Sequence, residues 1–106
     1  MELDYQALYK IFLAESKDNL AEMEEALMVL ESRPQDEATL AAIFRVVHTL
    51  KGSATCLGFT GLSQFAHTVE DILQRLRERT APVTDHLITL LLQSVDAFRQ
   101  LAAMAG

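Results

Sequence analysis

The segment LAAIFRVVHTLKGSATCLGF, residues 40–59, decides the fold of this chain. Asp36 precedes it at an N-cap position, and Gly58 stands where a glycine commonly ends a helix. Apolar residues between them recur every three or four positions, which places one apolar stripe along an amphipathic helix. They are Leu40, Ile43, Phe44, Val47, Leu50, Ala54 and Leu57.

The same periodicity recurs on both sides of this segment and predicts three further helices. Asp4 and Thr84 occupy N-cap positions of the first and the last, and Arg33-Pro34 interrupts the pattern after the first. The four predicted helices span about residues 5–32, 37–57, 60–79 and 85–104. Their further core positions are Tyr5, Leu8, Ile11, Phe12, Leu20, Met23, Leu27, Leu30, Leu62, Phe65, Ala66, Val69, Ile72, Leu73, Leu76, Leu87, Ile88, Leu91, Val95, Phe98 and Leu101.

Four amphipathic helices with short connections predict an all-α protein, an antiparallel up-down four-helix bundle. The chain has 106 residues, of which 50% are hydrophobic, and this is enough for one continuous core. We therefore expect residues 1–106 to form a single domain.

Composition and charge exclude several classes of function. A net charge of −6 argues against nucleic acid as a partner, because phosphate backbones require clustered lysine and arginine. No apolar run approaches membrane-spanning length, so no membrane insertion is expected, and Glu2 and Asp4 are unlike the start of a signal peptide. The single cysteine, Cys56, excludes an internal disulfide framework. A cytoplasmic location follows as the expectation.

His48 and Gly52 stand out on the second predicted helix. At about 100° per residue, His48 points about 130° away from the centre of the apolar stripe, and Gly52 falls beside it. A glycine inside a helix costs about 1 kcal/mol relative to alanine, and packing against the core does not explain one on the outer face. A missing side chain one turn from an exposed imidazole clears the approach of a bulky partner to the ring.

A reactive imidazole keeps one nitrogen free as a nucleophile while the other is held as a donor. Glu70, on the adjacent predicted helix, is the candidate to hold it. Lys51, at the edge of the apolar stripe, is the candidate to neutralise a negative group added to the ring. Whether Glu70 reaches His48 depends on the packing and register of the two helices.

The residues FRVVHTLKGSA, 44–54, followed by LGF, 57–59, closely resemble the signature of histidine-containing phosphotransfer (HPt) domains. The spacing of Leu62, Ala66 and Glu70 agrees with it. The H-x-x-E spacing of His67 and Glu70 resembles that in the N-terminal phosphotransfer domain of chemotaxis histidine kinases of the CheA class. The acidic first helix resembles that of the same domain. The resemblance covers essentially the whole chain and is specific around residues 44–70.

This resemblance implies a phosphohistidine relay in two-component signalling. His48 would accept a phosphoryl group through Nε2 from a histidine-kinase catalytic domain and pass it to an aspartate of a response-regulator receiver domain. Glu70 would hydrogen-bond the Nδ1 side, Lys51 and His67 would complete the polar network, and Gly52 would leave room for the partner. ATP and magnesium would belong to the partner domains, so no cofactor and no metal is expected in this chain.

The chain also departs from the family pattern. Ser53, Thr55 and Cys56 stand where chemotaxis members often carry small residues and an aromatic residue. Such members often have a fifth helix, whereas four are predicted here. This sequence also contains no dimerisation or ATP-binding region and no self-contained catalytic site. The resemblance therefore fits either a piece of a larger CheA-like kinase, which we favour, or a free-standing phosphotransfer protein.

Two other functions fit parts of the sequence. An acidic helical docking module without chemistry explains the bundle and the charge but not Gly52. A metal site would draw on His48, His67, Glu70 and Asp71, of which His67 and Asp71 have chelating i, i+4 spacing. Against the metal site, Lys51 would repel a cation, and Cys56 is expected to be a small buried residue.

Overall fold

The computed structural model describes residues 4–105. The expected single domain also includes residues 1–3, among them Glu2, and Gly106, and these lie outside the described residues. Four helices run through that range: α1 (Tyr5–Ser32), α2 (Glu37–Leu57), α3 (Thr60–Arg77) and α4 (Asp85–Ala105). Each helix packs against its neighbours in sequence, and α4 closes the ring against α1. The described residues contain no strand. The predicted all-α four-helix bundle is confirmed, with extents of 47 × 21 × 20 Å.

Three predicted N-caps are confirmed. The Asp4 carboxylate accepts a hydrogen bond from the Ala7 backbone N–H at the start of α1. The Asp36 carboxylate accepts from two backbone N–H groups at the start of α2, and the Thr84 hydroxyl accepts from the Leu87 N–H at the start of α4. Each cap satisfies donors that have no partner inside the first helical turn.

Gly58 ends α2 as predicted. Its φ of 78° lies in the left-handed region, which glycine adopts without steric cost. The Gly58 N–H donates to the Thr55 carbonyl and the Phe59 N–H donates to the Ala54 carbonyl, at 3.1 and 2.8 Å. This pair of bonds is the Schellman arrangement, and it turns the chain into α3 within two residues.

The third helix ends at Arg77, two residues before the predicted end at residue 79. Arg79 has a φ of 60°, which takes the backbone out of the helix. The Arg79 N–H donates to the Leu76 carbonyl and the Thr80 N–H donates to the Arg75 carbonyl, so α3 ends in the same motif as α2. The prediction was wrong here because arginine is a good helix former and gives no signal of a left-handed residue.

One continuous core runs between the helices. It contains most of the predicted apolar positions, including Leu20, Met23, Ile43, Val47 and Phe98. Its other buried members are Phe12, Leu27, Leu30, Leu40, Val46, Leu50, Ala54, Leu62, Ala66, Val69, Leu73, Leu76, Leu91, Val95 and Ala102. Partly buried side chains such as Phe44 and Phe65 pack against this cluster.

Four side chains expected in the core lie on the surface. Tyr5, Ile11 and Ile72 are exposed, and so is the Cys56 thiol. Ile11 directly precedes buried Phe12, and Ile72 directly precedes buried Leu73. Consecutive residues on a helix point about 100° apart, and the buried stripe of each helix is too narrow to include the isoleucine as well. Tyr5 lies in the first turn of α1. Cys56 is about 200° around α2 from buried Ala54, which turns it away from the core.

Candidate functional site

The candidate site lies on the seam between α2 and α3. Only Gly58 and Phe59 separate the two helices, so they run antiparallel and side by side. A hydrogen bond of 2.6 Å between the Thr55 and Ser63 hydroxyls joins them near the turn. Further along the seam, α2 contributes His48 and Lys51, and α3 contributes Glu70.

The His48 imidazole is exposed, with 63% of its side chain accessible, and one of its nitrogens is held. Its Nδ1 lies 3.0 Å from Oε2 of Glu70. An ionised carboxylate only accepts hydrogen bonds, so Nδ1 carries the proton and donates it. In the neutral ring this tautomer leaves the Nε2 lone pair free, which is the form that a nucleophilic imidazole requires.

Glu70 divides its two carboxylate oxygens between two donors. While Oε2 accepts from His48, Oε1 accepts from the Lys51 ammonium at 2.8 Å. Burial raises the pKa of the Glu70 carboxyl and is the largest single influence on it. The hydrogen bonds and positive charges of Lys51 and His48 together outweigh burial, so the pKa of Glu70 lies below its ordinary value. Glu70 is therefore ionised at neutral pH and keeps the accepting role that the His48 tautomer needs.

Gly52 lies one turn after His48 on the exposed side of α2. A Cβ built at this position would meet nothing within 4 Å. No packing inside the described structure therefore requires a glycine here. The helix surface at Gly52, one turn from His48, is open.

His67 does not join the three residues of the seam. Its ring is 62% exposed, and Nε2 lies 3.7 Å from Oδ2 of Asp71. Within residues 4–105 no hydrogen bond connects it to His48 or Glu70. His67 does share a shallow groove between α2 and α3 with Lys51. The structure thus brings His48, Lys51 and Glu70 together and leaves His67 beside them.

The sequence analysis missed Phe44, which lies beside His48, and Arg77, which contacts Phe44. The Phe44 ring, one turn before His48 on α2, lies nearly parallel to the imidazole, with 10° between the planes and 6.1 Å between the centroids. The Arg77 guanidinium carbon lies 4.6 Å from the centroid of Phe44. The i, i+4 spacing of Phe44 and His48 was the available signal, but the apolar stripe accounted for Phe44 as a core residue.

The alternative of a metal site finds no support in the described residues. Between residues 4 and 105, no group of three or more His, Cys, Asp or Glu side chains is arranged to hold a metal ion. None of the four helices combines the length and apolar character that a membrane span requires.

Comparison with known proteins supplies the family. Residues 7–101 match the Hpt domain family. The chain is 35% identical over 104 residues to the chemotaxis protein CheA of Borreliella burgdorferi, covering 98% of this chain and 12% of that protein. The CheA phosphotransferase domain from Thermotoga maritima has the same fold, with a TM-score of 0.88, 29% identity and 96% of each chain covered.

A second solved structure is the phosphorylated P1 domain of CheA3 in complex with CheY6 from R. sphaeroides. It matches with a TM-score of 0.84 and 27% identity, covering 93% of this chain and 78% of that one. The chain belongs to the Hpt domain family, and the predicted resemblance to CheA-class domains is confirmed. It spans only about an eighth of the B. burgdorferi protein's length.

Proposed function

We propose, with this family membership as the premise, that the chain is a phosphohistidine relay of two-component signalling with His48 as its phosphoacceptor. One observation carries the proposal. An exposed imidazole has its Nδ1 bound to a carboxylate and its Nε2 free, beside a glycine that leaves the helix surface open.

In the first step, the Nε2 lone pair attacks the γ-phosphorus of ATP held by a histidine-kinase catalytic domain. The N–P bond forms, the P–O bond to the β-phosphate breaks, and ADP leaves with the electron pair. Glu70 stabilises the positive charge that develops on the ring, because its carboxylate accepts the Nδ1 proton's hydrogen bond throughout. Lys51 holds the second oxygen of that carboxylate in place.

In the second step, a carboxylate oxygen of a receiver-domain aspartate attacks the phosphorus, and the N–P bond returns its electron pair to Nε2. ATP and magnesium are assigned to the partner domains, since His48 and its neighbours supply a nucleophile and its orientation. The complex of the R. sphaeroides relative with CheY6 supports a response regulator as one partner. The CheA relatives support a kinase of that class as the other.

Access to His48 suits a large partner. Gly52 removes a side chain one turn from the ring, and His67 lines a shallow groove with Lys51, where a partner can contact it. We propose that residues 1–106 act as one phosphotransfer domain, that their partners are kinase and receiver domains of the cytoplasm, and that Gly52 and His67 belong to the docking surface.

The test uses phosphoramidate, a small donor that phosphorylates histidines without a kinase, at an exposure long enough for the activated His48 ring but not for the exposed His67 and His86. Intact mass and phosphorus NMR follow the product in the parent protein, in His48→Gln, and in His86→Gln as a control for an exposed histidine outside the site. We expect one acid-labile phosphate in the parent and in His86→Gln, none in His48→Gln, and transfer of this phosphate to a receiver domain. A phosphate that persists in His48→Gln, or that no receiver domain accepts, would leave an acidic docking module as the better account.

A further inference from the structure

The bond to Glu70 does not by itself fix the His48 ring. A single hydrogen bond to Nδ1 sets the direction of one N–H, but most of the side chain is exposed to solvent. Torsions between an sp³ and an sp² carbon, such as χ2 of histidine, have broad energy wells. Without a contact on its face, the ring would move over a range of orientations, and Nε2 would move with it.

Phe44 supplies that contact. The two rings are 10° from parallel with centroids 6.1 Å apart, within the range for offset stacking. Both residues lie on α2 at i, i+4 spacing, so the helix backbone fixes their separation. Phe44 is half-buried and packs against the core cluster, which restricts its own ring. Rotation of His48 about χ2 would break the parallel arrangement.

Arg77 lies against Phe44 from the other helix of the seam. Its guanidinium carbon is 4.6 Å from the ring centroid, within the range of a cation–π contact. Arg77 is the last residue of α3, where a cation also suits the negative end of the helix dipole. The contact ties the Phe44 ring to α3, the helix that also carries Glu70.

We infer that Phe44 is a positioning residue for His48 and that Arg77 holds Phe44 in place. Phe44 fixes the plane of the imidazole while Glu70 fixes the direction of Nδ1, and the two contacts together give Nε2 one orientation. The inference rests on the proposed function for its kinetic consequence. The orientation of the unphosphorylated His48 ring, in contrast, does not depend on that function.

Four variants test this role. Phe44→Leu removes the stacked ring and keeps an apolar side chain, and Phe44→Tyr restores an aromatic ring at the same position. Arg77→Gln removes the cation from the exposed end of α3, and Arg75→Gln is its matched control, because Arg75 is an exposed arginine two residues earlier on the same helix. Circular dichroism and thermal unfolding establish that each variant is folded at the temperature used.

Two measurements are made on each variant. Nitrogen and proton NMR of the His48 ring reports its tautomer, which a purely structural role of Phe44 would leave unchanged, and a ring-current shift, which shows whether an aromatic ring at position 44 is stacked on it. The second-order rate constant with phosphoramidate reports nucleophilicity without any partner protein. For Phe44→Leu we expect loss of the ring-current shift, a mixed tautomer population and a rate about two- to tenfold lower. Phe44→Tyr restores all three, Arg77→Gln shifts them less in the same direction, and Arg75→Gln matches the parent.

A parent-like tautomer population and a parent-like rate in folded Phe44→Leu would overturn the inference. If Phe44→Leu fails to fold, the Arg77→Gln and Arg75→Gln pair decides, and identical His48 signals in both would overturn it as well. Failure of the proposed function is seen separately, as phosphate that remains in His48→Gln, because the ring signals are measured before any phosphate is added.

Discussion

The Lys51 ammonium lies 2.8 Å from Oε1 of Glu70, so the lysine is bound to the carboxylate that holds His48. The sequence suggested Lys51 as the cation that neutralises a phosphoryl group on the ring, and the family resemblance placed it in the polar network around His48. In the unphosphorylated domain its ammonium binds the Glu70 carboxylate, and 24% of its side chain remains exposed. This arrangement makes Glu70 the centre of the site and suggests where substitutions will have their effects.

Glu70→Ala should slow phosphorylation of His48 without unfolding the domain. The substitution removes the acceptor for Nδ1–H, so the ring loses both its fixed tautomer and the stabilisation of its developing charge. A rate about tenfold lower with phosphoramidate is expected, corresponding to one hydrogen bond to a charged group. Asp71→Ala, which removes the exposed neighbouring carboxylate, is the control and should react at nearly the parent rate. Equal rates for Glu70→Ala and the parent would remove Glu70 from the mechanism.

The stability that Glu70 contributes should depend on pH. Because the pKa of Glu70 is lower in the folded than in the unfolded protein, its contribution is complete above the unfolded pKa of about 4.3. It is lost as the pH falls through the folded pKa. Urea unfolding of the parent and of Glu70→Gln should therefore differ by about 1 kcal/mol near neutral pH and converge in acid. A difference that stays constant over this range would contradict the ionised pairing with Lys51 and His48.

Substitutions of Gly52 should distinguish an effect on the stability of the domain from an effect on the access of a partner domain to His48. A Cβ at this position meets open space, so Gly52→Ala should raise the free energy of unfolding by about 0.5–1 kcal/mol through the better helix propensity of alanine. Gly52→Gln gains similar propensity but adds a long side chain one turn from His48. The ratio of the kinase-catalysed rate to the phosphoramidate rate should fall much further in Gly52→Gln than in Gly52→Ala. An unchanged ratio would leave the glycine without a role in access.

Arg79→Gly should stabilise the bundle by about 0.5–1 kcal/mol, because the φ of 60° at this residue is unfavourable for any side chain. The ion pair that it loses, Arg79 to Glu37 at 2.9 Å, is exposed on both sides and contributes little. Arg79→Ala loses the same ion pair but keeps the steric cost at the left-handed position, so it should show no gain. Thermal unfolding of the two variants beside the parent distinguishes the effects, and equal stabilities of Arg79→Gly and Arg79→Ala would refute the strain.

Local signals in the sequence predicted most of the fold. Asp4, Asp36, Thr84 and Gly58 act through short-range hydrogen bonds or backbone conformation, so their positions can be read from the chain alone. Arg79 could not be placed in this way, because the left-handed turn has no marker in its residue type. The periodicity of α2 did turn Cys56 outward, and its expected burial was wrong because it followed the general tendency of cysteine to be buried.

At the site, the outward position of His48 followed from helical periodicity, as did the glycine beside it. The distances to Glu70 depend on the register of α3 against α2, which periodicity does not fix, so the residues alone named Glu70 as a candidate and the family resemblance supported the pair. The stack of Arg77, Phe44 and His48 escaped notice because an aromatic residue on an apolar stripe already has a sufficient explanation. A side chain can face the core with one part and a reactive group with another.

The two-residue connection at Gly58 and Phe59 has a consequence for how the protein folds and for where substitutions leave the site unchanged. His48 and Glu70 are 22 residues apart, Lys51 and Glu70 are 19 apart, and the Phe44–Arg77 contact encloses both pairs. Closing so short a loop costs little entropy, so the polar geometry is specified inside one contiguous helical hairpin. The long-range packing of α1 and α4 supplies buried surface to that hairpin. Changes on the outer faces of those two helices can therefore retune thermal stability or assembly while the reactive nitrogen keeps its orientation.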